Sequence, residues 1–186
     1  EVPRRFLELL APDRHPFTRG SGRKELAEAI VAKNNPLTAR VLVNRLWQHH
    51  FGRGMVHTPS DFGARSAPPS HPELLDYLAG RFMRSGWSIK QLHRQILDSA
   101  SYLQASDDRP DAQRKDPQNR WLWKMHRRRL SFEATRDALL SVSGDLDSQM
   151  GGPPVELLKP GFVPRRTLYG FINRMDVDPL LTTFDF

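Results

Sequence analysis

The sequence predicts a mainly α-helical fold. Helix-start signals recur along it, apolar residues return at three- and four-residue intervals, and 15 prolines and 12 glycines divide the chain into short elements. A helix leaves its first N–H groups without partners. A Ser, Thr, Asp or Asn just before it, or a Pro at its first position, therefore marks where one begins. Asn35-Pro36, Thr58-Pro59, Asp116-Pro117 and Asp178-Pro179 have that form. Ser70-His71-Pro72-Glu73 and Ser88-Ile89-Lys90-Gln91 read as capping boxes, in which the last side chain reaches back to the cap. Each cap is worth about 1 kcal/mol, so their number weighs in favour of helix.

Leu26, Ala29, Ile30 and Lys33 outline a short first helix. Val43, Leu46, Trp47 and His50 form the stripe of a second, after Asn35-Pro36. Leu74, Leu75, Leu78 and Phe82 form a third, and Ile89, Leu92, Ile96 and Leu97 a fourth. Phe132, Leu139, Leu140 and Ser143 mark a further helix over 131–143, stopped by Gly144. This spacing places each set on one side of a helix, which is then buried. Loops are expected at 11–22, at 63–70 and at 105–116, the last carrying four Asp. A long irregular segment is expected at 144–165, with Gly151-Gly152-Pro153-Pro154 and Pro160-Gly161. Such a segment is uncommon in a compact domain and is often functional. Residues 166–172 read as a minor strand with no evident partner. The expectation is one domain over 1–186 with about six or seven short helices, both of its ends reading as cut from a longer chain.

Composition narrows the function. No apolar run reaches the roughly 20 residues of a membrane-spanning helix. The absence of cysteine excludes disulfides, thiolate metal sites, a cysteine nucleophile and c-type haem attachment within the chain. The net charge is +7, and the first sixty residues hold most of the excess. A nucleic-acid binder normally clusters its basic residues on one face. The densest run, Arg127-Arg128-Arg129, would splay by about 100° per residue on a helix. Nucleic-acid binding is therefore disfavoured, although a steep salt dependence would reveal it.

Three blocks carry a family resemblance. The first runs Asn35-Pro36-Leu37-Thr38-Ala39-Arg40-Val41 into Val43-Asn44-Arg45-Leu46-Trp47-Gln48-His49-His50-Phe51-Gly52. The second joins Thr58-Pro59-Ser60-Asp61-Phe62-Gly63, Ser70-His71-Pro72-Glu73-Leu74-Leu75 and Gly86-Trp87-Ser88-Ile89-Lys90. The third holds Arg129-Leu130, Arg136-Asp137-Ala138, Arg165-Arg166-Thr167-Leu168-Tyr169 and Phe184-Asp185. Together they resemble a planctomycete-specific domain of unknown function found near the C-terminus of large exported proteins, often beside c-type cytochrome modules. The resemblance implies an exported, periplasmic or cell-surface parent whose other domains are partners of this one. It also implies a family pattern that continues past residue 186. Any haem would belong elsewhere in that parent; no cofactor is expected in this chain.

The candidate binding residues are Arg40, Asn44, Arg45, His49, Asp61 and His71. Arg40, Asn44 and Gln48 recur every four residues and share a helix face, with Arg45 and His49 beside it. Such a face suits an acidic or hydroxylated ligand. The favoured reading is structural: Arg40 and Arg45 tie the following loops to the helix through carboxylates such as Asp61. His49-His50 is a poor metal pair, because neighbours on a helix diverge. His57 and Asp61 have better spacing, but Pro59 interrupts them. His71 is expected to act locally at a helix N-terminus, where the dipole disfavours an imidazolium. His93, on an apolar stripe, is expected in the core with one hydrogen bond. No Gly-x-Ser-x-Gly elbow or phosphate-cradling loop is present. Trp121 and Trp123, two residues apart, are expected to be two core anchors; the alternative is that one of them stands exposed as a sugar or partner platform. The leading expectation is a non-catalytic structural or interaction module. The alternative is an enzyme domain acting on carbohydrate or another polymer through the Arg, Asn, His and Asp side chains.

Overall fold

The computed structural model describes residues 2–10 and 15–184. The chain is mainly α-helical, as the caps and stripes predict. Eight α-helices are present among the described residues: α1 (Arg23–Ile30), α2 (Thr38–Phe51), α3 (Pro72–Arg84), α4 (Ile89–Leu97), α5 (Ala100–Leu103), α6 (Pro110–Lys115), α7 (Phe132–Ser143) and α8 (Pro179–Thr183). Short 3-10 turns lie at Glu8–Leu10 and Thr167–Tyr169. The expected strand at 166–172 is absent: its middle is that 3-10 turn, and Gly170 makes only an isolated bridge with Val155. The 144–165 segment is irregular, as read from its glycines and prolines.

Two compact units form, Glu1–Arg127 and Arg128–Phe186. The first is built on α2, α3 and α4. Ala39, Val43, Trp47 and Phe51 recur every four residues along α2 and are all buried. They meet Leu75, Leu78, Ala79 and Phe82 of α3, Leu92 and Ile96 of α4, and Met55 and Val56 from the loop after α2. Burying each large apolar side chain contributes about 1.5–3 kcal/mol. Trp47 stacks on Phe51 at 4.1 Å, and Phe82 meets Trp87 edge-on at 5.2 Å. His93 of α4, expected in the core, is half-buried instead, its Nδ1 lying 2.6 Å from Nε2 of His50.

Two start signals act as predicted: Ser88 accepts from Gln91 N and Asp178 from Leu180 N. Ser131, a cap the sequence reading did not single out, accepts from Ala134 N. The expected Ser70 box does not form, since His71 precedes α3 without a side-chain cap and Ser70 Oγ meets His71 Nδ1. Others close single turns instead. Thr58 Oγ1 donates to Asp61 O, and Asp61 N returns to Thr58 O, so Thr58-Pro59 opens no helix. Asp116-Pro117 ends α6 and starts a turn closed by Asn119 N on Asp116 O. Asn35 lies ahead of α2, accepting from Leu37 N and donating to Ile30 O. A cap-type residue followed by Pro suits a turn as well as a helix start, and here the turns win.

In the second unit, α7 ends at Gly144 as expected. Its Asp137 and Arg136 hold the returning strand-like segment. Asp137 Oδ1 accepts from Thr167 N at 2.7 Å and Thr167 Oγ1 at 2.6 Å, and Arg136 donates to Arg165 O at 2.9 Å and to Val163 O.

Candidate functional site

The six residues singled out from the sequence do not gather in one cleft. Asn44 is fully buried, at 0 % exposure. Its Nδ2 donates to Val56 O at 3.0 Å and its Oδ1 accepts from Val56 N at 2.9 Å. The loop after α2 must pass so close that a Cβ on Gly54 would lie 2.7 Å from Asn44 Nδ2 and 2.6 Å from Val56 O. Asn44 thus fastens a loop. Arg40 pairs with Asp76 of α3 rather than Asp61. Asp61 turns back on its own loop, accepting from Gly63 N at 2.9 Å. Arg45 and His49 are exposed along α2. Arg40 and Asp76 border a groove of about 360 Å³ whose other walls include Leu37, Phe62, Pro68 and Pro69. The two charges of that groove satisfy each other.

His71 leads to a different place. It stands at the N-terminus of α3, its Nδ1 2.9 Å from Ser70 Oγ. Ser70 lines a notch of about 20 Å³ together with Arg53, His57, Asn119, Arg120 and His126. Three separate segments build this notch and its rim. Arg53 and His57 come from the turn after α2, and Ser70 and His71 from the entrance to α3. Arg120 and His126 come from the loop that follows α6.

That last loop is fixed by its own hydrogen bonds. Asp116 Oδ2 accepts from Trp121 N at 2.8 Å, and Asp116 O accepts from Trp123 Nε1 at 2.9 Å. Asn119 is buried and donates to Lys124 O at 2.8 Å and towards His126 Nε2 at 3.3 Å. Asn119 and Leu122 hold left-handed backbones, at φ 51° and φ 53°. For Leu such a backbone costs on the order of 1–3 kcal/mol and persists only where its surroundings impose it. The result is a rigid tip that presents Arg120 and Trp121. Trp121 is 61 % exposed, with the Arg120 guanidinium 5.7 Å from its ring centre and the His71 ring edge-on at 5.6 Å.

The electrostatics are one-sided. Arg53 Nε donates to His57 Nδ1 at 2.6 Å, which leaves the proton of a neutral ring on Nε2. Burial holds the His57 pKa below its ordinary value, and the Arg53 and Arg120 charges lower it further. Burial likewise lowers that of His71, with Arg120 adding to the effect. No carboxylate lines the notch among the described residues. A fixed positive field with neutral imidazoles at its edge is suited to receiving an anion. Ser70 and His71 touch as a nucleophile and base would, but no acid in the notch orients the ring. Among the described residues, no three His, Asp or Glu side chains converge closely enough to hold a metal ion.

The sequence pattern of PSD1, described as a protein of unknown function (DUF1553), matches residues 22–186. The chain belongs to the PSD1 family. No curated protein and no solved structure matches it. The PSD1 match takes in α1 to α8 and every residue of the notch. Of the notch residues, sequence reasoning weighed His57, as a metal ligand with Asp61, and passed over Arg53, Ser70 as a site group, Arg120 and His126. His71 and Trp121 lie beside the notch, and Trp121, expected as a core anchor, is exposed instead. The one local signal was the i, i+4 spacing of Arg53 and His57. The rest are joined only by the fold.

Proposed function

We infer that this PSD1-family chain is a non-catalytic interaction module of an exported multidomain protein of planctomycete type. The export and the multidomain setting are supported by the sequence blocks at 35–52, 58–90 and 129–185. The binding role is supported by one observation above all: the polar side chains of the helices hold the fold together, while Arg53 and Arg120, neither paired with a carboxylate, meet at a preformed notch. Asn44 is spent on Val56, Arg40 on Asp76 and Asp137 on Thr167. General acid–base catalysis needs a proton donor and acceptor held across a pocket, and the notch instead sets Arg53 and Arg120 beside neutral histidines. Partners are therefore acidic groups on other domains or on extracellular material. No helix of the described residues is long and apolar enough to cross a membrane.

The test is a screen of the protein against glycan, ester and phosphoester substrates, with His57→Ala, His71→Ala and Asp61→Ala beside the wild type. No turnover that depends on these residues is expected. A hydrolytic rate lost in His57→Ala or Asp61→Ala and retained in Arg45→Ala overturns the reading in favour of an enzyme.

A further inference from the structure

The interaction reading does not say what the notch takes. We propose that it receives the oxyanion of an acidic saccharide, a carboxylate or sulfate group, while the sugar ring lies against Trp121. This rests on the interaction reading and narrows it to a ligand class.

Size is the first argument. About 20 Å³ accommodates little more than one water-sized group. One or two oxygens of an acid can enter, and a sugar ring cannot. The ring must stay outside, where the exposed indole of Trp121 stands next to Arg120 and His71. The apolar C–H face of a pyranose matches such an indole. Charge is the second argument. Arg53 and Arg120 bring two guanidinium groups to one small opening, and no carboxylate of the described residues pairs with either. Arginine offers the planar, forked donors that an oxyanion accepts in pairs. Pre-organisation is the third. The Asp116 and Asn119 bonds fix the loop before any ligand arrives, so little ordering entropy remains to be lost.

The surroundings favour spaced acid groups over a polyphosphate. A single-stranded nucleic acid needs a positive groove that tracks its backbone. Here Asp116 accepts from Trp121 N and sets a carboxylate beside the indole. A continuous polyanion passing over Trp121 would meet that carboxylate. A saccharide that carries one acid per ring can place that acid in the notch and leave the rest of the chain in water.

The experiment is titration of the whole chain, followed by tryptophan fluorescence and calorimetry. The probes are trigalacturonate, its methyl ester, galactose 6-sulfate, inorganic phosphate and an oligo-dT. An acidic saccharide is expected to bind at least tenfold tighter than the methyl ester and than phosphate. Trigalacturonate against galactose 6-sulfate distinguishes the carboxylate from the sulfate. Arg120→Gln and Trp121→Ala are each expected to weaken binding at least tenfold, and Arg45→Ala to leave it unchanged. Both altered side chains are exposed, and matching circular dichroism and Tm with wild type will show that the variants fold. The proposal is overturned if the methyl ester binds equally well, if Trp121→Ala binds as wild type, if phosphate or oligo-dT binds tighter, or if neither acidic saccharide binds. Absence of binding sinks this ligand and leaves the module reading standing. Turnover of a bound saccharide that needs His57 sinks the module reading and leaves the site.

Discussion

In Glu1–Arg127, α2, α3 and α4 close over twelve buried apolar residues. In Arg128–Phe186, the buried apolar side chains among the described residues are Phe132, Leu140 and Leu181, while Leu139, Val142, Phe162 and Met175 stand exposed. The first unit is held by removal of greasy surface from water and uses a polar tie, Asn44, to fasten one loop. The second replaces much of that burial with charge-assisted hydrogen bonds from Asp137 and Arg136. Hydrophobic burial is indifferent to moderate changes of pH, whereas a carboxylate latch is not. Conditions that leave the first unit intact should therefore loosen the second, and each variant below presses on that contrast.

Asn44→Ala should have the largest effect. It removes both bonds to Val56 and leaves a buried N–H and C=O without partners. We expect a loss of about 3 kcal/mol, since each orphaned buried group costs about 1–3 kcal/mol. Urea unfolding followed by near-ultraviolet dichroism measures it. A loss below about 0.5 kcal/mol, the range of ordinary surface changes, would mean that apolar packing alone holds the loop.

Asp137→Ala comes next, at about 2 kcal/mol, because two charge-assisted bonds go but water can reach part of the site. Burial pushes the Asp137 pKa up, but the Thr167 side-chain and backbone bonds and Arg166 outweigh it, and the net shift is downward. The sign follows. A carboxylate held more acidic in the folded state adds stability at neutral pH. That contribution fades as pH falls through its folded pKa, below the usual value of about 3.9. Hydrogen exchange of the amides of α7 and of 167–171 is the readout. Acid should open them in wild type, and Asp137→Ala should open them already at pH 7.

How much of this was legible beforehand varies by element. The helices α4 and α7 were readable because a cap or stop signal and an apolar stripe agree there, and α3 from its stripe and the Pro at its first position, although the Ser70 box does not form. Thr58-Pro59 and Asp116-Pro117 were not, since turn and helix start use the same chemistry. Asn44 misled for a different reason. Periodicity sets residues 40, 44 and 48 on one face but cannot tell that the loop at 54–56 lies against that face. The buried stripe of Ala39, Val43, Trp47 and Phe51 runs directly beside it, and that was the available clue. The notch was illegible because Arg53, Ser70 and Arg120 come together only through the packing of distant segments.

The histidines of the notch give a smaller, reversible effect. Both His57 and His71 have lowered pKa values, so the folded chain prefers them neutral. Between the folded pKa and the ordinary value of about 6.5, the unfolded chain binds more protons, so stability rises with pH. Moving from pH 7.5 to 5.5 should therefore lower Tm, and His57→Gln should flatten that dependence. His57 faces Arg53 and Arg120, and His71 faces Ser70, Arg120 and Trp121. An anion placed among these groups would favour the protonated rings, so an acidic saccharide should bind more tightly at pH 5.5 and cancel part of the Tm loss. Equal binding at both values would separate the histidines from the anion.

The smallest effect belongs to Arg40→Ala. Its pair with Asp76 links α2 to α3, yet the two side chains are 39 % and 52 % exposed. Exposed ion pairs contribute about 0–1 kcal/mol, because water screens them and long side chains lose entropy in meeting. The expected loss is about 0.5 kcal/mol, shrinking further in 0.5 M salt. This variant sharpens the contrast from the other side. If the first unit rests on its apolar interior, cutting a surface tie between its two longest helices should hardly register. A loss of about 2 kcal/mol, twice the usual ceiling for such pairs, would show that polar latches matter as much there as they do around Asp137.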